Sequence, residues 1–407
     1  MFFYFKKLLQ HYFQKKVYLD YASTTPIDNR VLSVMNTVYR TSYGNASSLY
    51  TLGTTTEQFI YDARKKIAKI IGAQSSQIIF TRGGTESDNL AILGVVNKFK
   101  QNFPDRIPHI ITSTIEHDAV LETCRYLEKN QQATVTYIGC DSNGIISLDE
   151  IKKSLTQDTI LVTIMYANNE IGTIQPIREI TKLIRWYKKH HKEENVLYPL
   201  VHTDAIQSVN YLDSNVQRLG VDLMSFSGSK IYGPKSSGVL FVKNREVIAP
   251  IMFGGKQEFA LRAGTEDVAS IIGFAKALEI SLQEQEGEFA RLSTLQNWFI
   301  KELQKDTRIV VNGSIENRLP NNINITVAGF SGEQLVIQLD AKGFAVSAKS
   351  ACQSKSDEES HVIRALRIAQ GRQLGNTEEG SLRMSLGRKT TKKDLQNFLK
   401  VFWQIVQ

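Results

Sequence analysis

Short β-branched runs alternate with helical patterns along most of this chain. That alternation limits the fold more than any other feature. Ile78-Ile79-Phe80 reads as a strand, followed by Gly83-Gly84 and a helical pattern over 85–98. The order recurs with strands at 110–112, 134–138 and 160–165 and helices at 119–129, 148–155 and 177–190. Apolar strands at 200–202, 223–226 and 239–242 complete the set. Strands separated by helix-length segments predict βαβ units, and hence a mainly parallel sheet covered by helices. Beyond about residue 265 the pattern changes. A long helical stretch over 267–304 leads into strands at 309–311, 323–327, 344–347 and 381–385. Helices at 332–339, 360–368 and 392–405 lie among them, which predicts a smaller α+β domain. A chain of 407 residues has the length for two domains. The boundaries expected are an extension at 1–16, a large domain at 17–265 and a small one at 266–407.

Charge raises a question that the alternation does not. The net charge is +8, and Lys6, Lys7, Lys15 and Lys16 supply half of it in an acid-free first segment. That segment also carries Phe2, Phe3, Tyr4, Phe5, Tyr12 and Phe13, but lacks the apolar core and small-residue cleavage site of a secretory signal. Two further basic clusters, at 182–192 and 388–393, read as solvated helix faces and ends. No nucleic-acid motif accompanies them. Nor does any run of 18 or more apolar residues occur, so no membrane span is expected. Cys124, Cys140 and Cys352 are too few and too scattered for a disulfide framework or a metal finger, which favours a reducing, cytoplasmic setting and no metal.

Three motifs carry chemistry. Thr81-Arg82-Gly83-Gly84-Thr85-Glu86-Ser87-Asp88-Asn89 follows a strand and opens a helix. Backbone N–H groups there, with the Thr85 hydroxyl, suit a phosphate. A plain glycine turn before a capped helix would read the same way. No lysine follows the glycines, so this is no P-loop. His202-Thr203-Asp204-Ala205-Ile206-Gln207 closes an apolar strand. Asp204 then faces the crevice where parallel sheets bind ligands, or caps the next helix. In the third motif Lys230 sits among Ser225, Ser227 and Ser229, just after another strand. A partly desolvated lysine is a competent amine nucleophile for a carbonyl. A phosphate cradle, a strand-end carboxylate and an amine nucleophile are together what pyridoxal 5'-phosphate requires. Glu116-His117, after a further strand, adds a ring that could stack on the cofactor.

With these motifs the chain resembles the cysteine desulfurases, class V of the fold type I pyridoxal-phosphate enzymes, over roughly 17–405. The anchors are Tyr18-Leu-Asp-Tyr-Ala, Gly44-Asn45, Thr85-Glu-Ser-Asp-Asn-Leu-Ala, Asn168-Asn-Glu-Ile-Gly and His202-Thr-Asp-Ala. They continue through Asp222-Leu-Met-Ser-Phe-Ser-Gly-Ser-Lys-Ile-Tyr-Gly-Pro-Lys, Arg262-Ala-Gly-Thr, Ser350-Ala-Cys and Arg383-Met-Ser-Leu-Gly. The resemblance implies a large domain built on a mainly parallel seven-stranded sheet, plus the small α+β domain. It implies that Lys230 is the Schiff-base and proton-moving lysine. Asp204 pairs with the pyridine N–H, Gln207 with the phenolic oxygen, and His117 stacks on the ring. Gly84, Thr85, Ser227 and Ser229 would hold phosphate, and Thr265 would reach the phosphate of a second subunit, implying a homodimer. Asn45, Asn169 and Arg383 would hold L-cysteine, with Asn169 also beside the cofactor. Cys352 would take the sulfur as a persulfide on a polar loop like that of the long-loop subgroup, which serves iron–sulfur cluster assembly. A sulfur-acceptor protein is then the partner, with tRNA thiolation the other destination.

Several positions depart from the family pattern. Ser229 replaces a phosphate-binding histidine, and Lys349 replaces a glycine, where a lysine would be strained if the position needs positive φ. Lys256 and Ala260 replace glycines, and Ala46 and Tyr50 replace a proline and a histidine. The docking tail of scaffold-binding relatives is expected to be absent. Two alternatives follow: a selenocysteine lyase or related cysteine lyase, and a non-catalytic interaction paralogue.

Overall fold

The computed structural model describes residues 16–191, 197–349, 359–371 and 380–407. The basic, aromatic segment at 1–15 and the loop bearing Cys352 lie outside these residues. In chain order the first elements are β1 (Val17–Tyr18), α1 (Asn29–Thr41), α2 (Thr51–Ile71), β2 (Ile78–Thr81), α3 (Gly84–Asn102) and β3 (His109–Ser113). Next come α4 (Asp118–Lys129), β4 (Thr134–Ile138), α5 (Leu148–Ser154), β5 (Thr159–Thr163), α6 (Ile177–His190), β6 (Leu200–Asp204), α7 (Val216–Leu219), β7 (Leu223–Ser227) and β8 (Gly238–Val242). The remainder is α8 (Val268–Leu303), β9 (Ile309–Val311), β10 (Asn322–Val327), α9 (Gly332–Ala341), β11 (Phe344–Ala345), α10 (His361–Ala369), β12 (Ser381–Ser385) and α11 (Lys392–Val406).

Seven strands form the central sheet in the order β2-β8-β7-β6-β5-β3-β4. Only β8 runs against the others, pairing antiparallel with both β2 and β7. The expected mainly parallel α/β sheet is therefore present. Successive side chains on each strand feed opposite faces. Ile79, Ile110, Leu161, Leu200, Leu223 and Leu240 pack under α3 and α4. Ile78, Ile111, Val162, Val201, Met224 and Phe241 pack on the other side, with α1, α2, α6 and the first half of α8. Helices on both faces explain why β2, β3, β5, β6, β7 and β8 are buried along their whole length.

A second core surrounds the antiparallel sheet β12-β10-β9 and includes Leu335, Leu339, Phe398 and Phe402. The 36 residues of α8 join the two cores. Ala269, Ile271 and Phe274 lie in the first core, and Leu292, Phe299 and Leu303 in the second. The start of the chain also reaches the second core, since β1 pairs in parallel with β11 and Leu19 is buried there.

Two helices, α1 and α2, precede the first strand named from the sequence. Gly53 and the run Thr54-Thr55-Thr56 are poor helix formers, which hides α2 from a propensity reading. Yet Thr56, Ile60, Ala63, Ile67 and Ile71 fall at helical spacing and are buried. Packing of that stripe decides the conformation.

Candidate active site

On the α3-facing side, the rows of the interior strands β6 and β7 turn polar toward the carboxyl ends of the strands. Along β6 the row runs Leu200, His202, Asp204, and along β7 it runs Leu223, Ser225, Ser227. Beyond those ends opens a cavity of about 710 Å³. That size suits one small cofactor with its substrate. Its lining includes Gly84, Thr85, His117, Asn169, Asp204, Gln207, Ser227, Ser229, Lys230 and Arg383. Residues dispersed over three hundred positions thus meet in one space.

Each side chain is placed by a local cause. Gly83 adopts φ +147, and Gly84 opens α3 so close to β6 that a Cβ there would meet Ile206 Cδ1 at 2.0 Å. The free N–H groups of that helix end, with Thr85, face the cavity. His117 caps α4, its Nδ1 accepting the Ala119 N–H at 3.1 Å. Asp204 ends β6 and accepts the Ile206 N–H at 2.9 Å. Burial pushes its carboxyl upward in pKa, while His117, that N–H and Lys230 pull it back. Ser227 Oγ lies 3.0 Å from Ser229 Oγ, so a hydroxyl pair stands at the position where a histidine was expected.

The loop at 20–25 ties three of these groups together. The Lys230 amine donates to the Ser23 carbonyl. Gln207 Nε2 donates to the Ala22 carbonyl at 3.0 Å. Arg383 Nη2 donates to Ser23 Oγ at 2.7 Å and to Asp20 Oδ1 at 2.9 Å, and its Nη1 to the Asn169 carbonyl at 2.9 Å. Arg383 is only 2% exposed, and its Nε is buried without a partner. These tethers escaped the sequence reading because most use backbone oxygens, which no side-chain motif announces.

Two expected site residues lie elsewhere. Asn45 and Thr265 are exposed and do not line the cavity of their own chain. Cys352 falls outside the described residues. Of the other thiols, burial pushes Cys124 up to about 12 and Cys140 up to about 11, which leaves both protonated and inert near neutral pH. Lys349 does not have the positive φ that would strain it; it pairs with Glu333 at 2.7 Å. Ala260 does take φ +62, beside Glu258 and Phe259 at +47 and +61.

The aminotransferase class-V family model matches residues 17–398. Cysteine desulfurase IscS of Dictyoglomus turgidum is 45% identical over 395 residues, covering 97% of this chain and 95% of that protein. The chain belongs to the cysteine desulfurase family. A solved NifS-like protein shares 34% identity with this desulfurase at a TM-score of 0.85, covering 96% of this chain and 99% of that one. A solved structure described as SspA in complex with cysteine shares 33% identity at a TM-score of 0.74, covering 91% and 99%. The desulfurase uses pyridoxal phosphate as its cofactor, as the class-V family does. Its cavity fits that group, offering a glycine-opened helix end and hydroxyls for an anion, a buried carboxyl for a ring nitrogen and an amine for a carbonyl. No described helix is long and apolar enough to cross a membrane.

Proposed function

We propose that this desulfurase converts L-cysteine to L-alanine in the cavity between Asp204, Lys230 and Arg383, with Cys352 receiving the sulfur. The observation that carries the reading is that one cavity gathers a strand-end carboxyl, a lysine amine and a buried guanidinium. Pyridoxal phosphate supplies an electrophilic carbonyl and a ring that takes up an electron pair. The chain does the rest. Gly84, Thr85, Ser227 and Ser229 bind the phosphate through N–H and O–H donors. Asp204 holds a proton on the ring nitrogen, Gln207 donates to the phenolic oxygen, and His117 covers the ring. The Lys230 amine would hold the cofactor carbonyl and, once the substrate amine has taken its place there, would be the group that carries the substrate α-proton.

Arg383 receives the substrate carboxylate, and its unpartnered Nε–H is a donor left for that purpose. Asn169 stands beside it, its carbonyl accepting from Arg383 Nη1. The Cys352 thiolate attacks the substrate sulfur. An S–S bond forms, the substrate C–S bond breaks, and alanine leaves after its β-carbon is protonated. The resulting persulfide passes to a scaffold or relay protein, for iron–sulfur cluster assembly or tRNA thiolation, in the cytoplasm.

A homodimer completes the site in this reading. Thr265 is exposed and reaches the phosphate bound by the second copy. Tyr43, Leu49 and Phe253 are 77%, 97% and 84% exposed, apolar surface that a second copy would cover. Residues 17–265 form the cofactor-holding unit and 266–407 the smaller one that carries Cys352, with 1–16 an extension.

The test uses the cofactor-loaded protein, cysteine and a reductant. The wild type releases alanine and sulfide. Cys352→Ala still changes the cofactor spectrum on adding cysteine, but its sulfide release falls at least a hundredfold. Full sulfide output from that variant would sink the persulfide role.

A further inference from the structure

Beneath the cavity lies a polar layer that the reaction above leaves unused. Asp88, on the first turns of α3, is fully buried, and neither of its carboxyl oxygens has a hydrogen-bond partner. His202 Nε2 lies 3.7 Å from Asp88 Oδ1, beyond hydrogen-bond reach. His202 itself is satisfied by hydroxyls: Nδ1 lies 2.8 Å from Thr163 Oγ1 and Nε2 lies 3.0 Å from Ser225 Oγ. Ser225 acts on Asp88 as well. Both Ser225 and His202 adjoin Asp204, Ser225 as its register partner on β7 and His202 two residues earlier on the same face of β6.

We propose that Asp88 is a positioning residue for the cofactor, a protonated acid whose O–H orients the Ser225–His202–Thr163 chain and leaves the negative charge of this layer to Asp204. The inference rests on the assignment of Asp204 to the pyridine nitrogen. Full burial strips a carboxylate of its hydration, and burial with the neighbouring Asp204 charge raises the pKa of Asp88, so it keeps its proton. Two anions in one buried layer would also repel each other, and a charge on Asp88 would draw a proton onto Asp204.

The other groups facing the layer agree. Burial pushes Glu116 up to about 8 and His202 down to about 3, so both are neutral near pH 7. His117, on the cavity side, favours the ionised form of Asp204. A neutral imidazole has one N–H, so the hydroxyl chain can run in either of two directions. With its proton in place, Asp88 can turn its O–H toward Ser225, leaving Ser225 Oγ to donate to His202 Nε2 and His202 Nδ1–H to donate to Thr163 Oγ1. An ionised Asp88 would reverse every one of those donors.

The experiment loads the enzyme with pyridoxal phosphate carrying ¹⁵N in its ring. It reads the nitrogen resonance and the cofactor dissociation constant for wild type, Asp88→Asn, Asp88→Leu and Ser225→Ala. Asparagine is a permanently neutral donor of the same shape, so Asp88→Asn keeps the protonated resonance and binds within about threefold of wild type. Asp88→Leu lacks the donor. It shifts the resonance toward the unprotonated form and weakens binding about tenfold, the scale of one lost hydrogen bond in a network. Ser225→Ala breaks the chain at its next link and gives the same shift, which preserves the test if the leucine variant does not fold.

An asparagine variant as damaged as the leucine one would mean that the charge is required, and would overturn the proposal. So would leucine and alanine variants that both match wild type. An unprotonated nitrogen in the wild type would overturn the Asp204 assignment and this inference together, which separates that failure from failure of the inference alone.

Discussion

Glu116 is fully buried, yet it accepts three hydrogen bonds, from Ser113 Oγ at 2.6 Å and from the Met165 N–H at 3.1 and 3.0 Å. Burial outweighs those donors and lifts the carboxyl from 4.5 to about 8. The folded protein therefore holds a proton that the unfolded chain releases between pH 4.5 and 8. The stability it contributes is complete below pH 4.5 and is lost as pH rises through about 8. Glu116→Gln cannot ionise and escapes that loss. Its melting temperature relative to wild type is expected to rise steadily across that window. A pH-independent difference in thermal melts would show that Glu116 is already ionised when folded. Arg383 is the buried guanidinium of the site, paired with Asp20 at 2.9 Å. Arg383→Lys keeps the charge but loses the planar fork. The KM for cysteine is expected to rise by about tenfold or more, with a smaller change in kcat. Equal losses in kcat and kcat/KM from steady-state kinetics would place the contact in the transition state alone.

At the scale of elements, the segment between β8 and α8 stores backbone strain. Glu258, Phe259 and Ala260 all adopt left-handed φ, a conformation that costs side-chain-bearing residues. The segment is held by a buried ion pair. Arg64 donates to both Glu258 oxygens at 2.6 and 2.7 Å, and Glu258 also accepts the Phe80 N–H at 2.9 Å. Ala260 is exposed, so a glycine there loses no packing. Ala260→Gly is expected to stabilise the protein by about 1 kcal/mol, visible as a higher melting temperature. A lower melting temperature would mean that φ at this position is already relaxed. The strained turn leads directly to Thr265, the residue assigned to a second copy's phosphate. Local caps fix the starts of the last two helices: Ser360 caps α10, and Thr391 with Asp394 closes a capping box at α11.

At the scale of the whole molecule, the proposed homodimer is what remains to be tested. Leu49→Asp combined with Phe253→Asp places charge on surface assigned to a second copy. Sedimentation is expected to show monomers, and cofactor affinity is expected to fall because Thr265 no longer reaches the neighbouring phosphate. Unchanged sedimentation would move the interface elsewhere.

The periodicity of the sequence determined the alternating sheet and its covering helices, since β-branched strands and helical stripes are recorded residue by residue. It also determined the chemical groups: one lysine among serines, one strand-end aspartate, one glycine-opened helix. Helix α2 was hidden because its threonines and glycine disfavour a helix in isolation and only burial of Ile60, Ile67 and Ile71 stabilises it. Tertiary structure alone brought the loop at 20–25 over Lys230, Gln207 and Arg383, through backbone oxygens that carry no residue signature. It also buried Asp88 without a partner beside His202. Which carboxyl keeps its charge depends on the solvent each one loses, and that is a property of the packed molecule rather than of any stretch of chain.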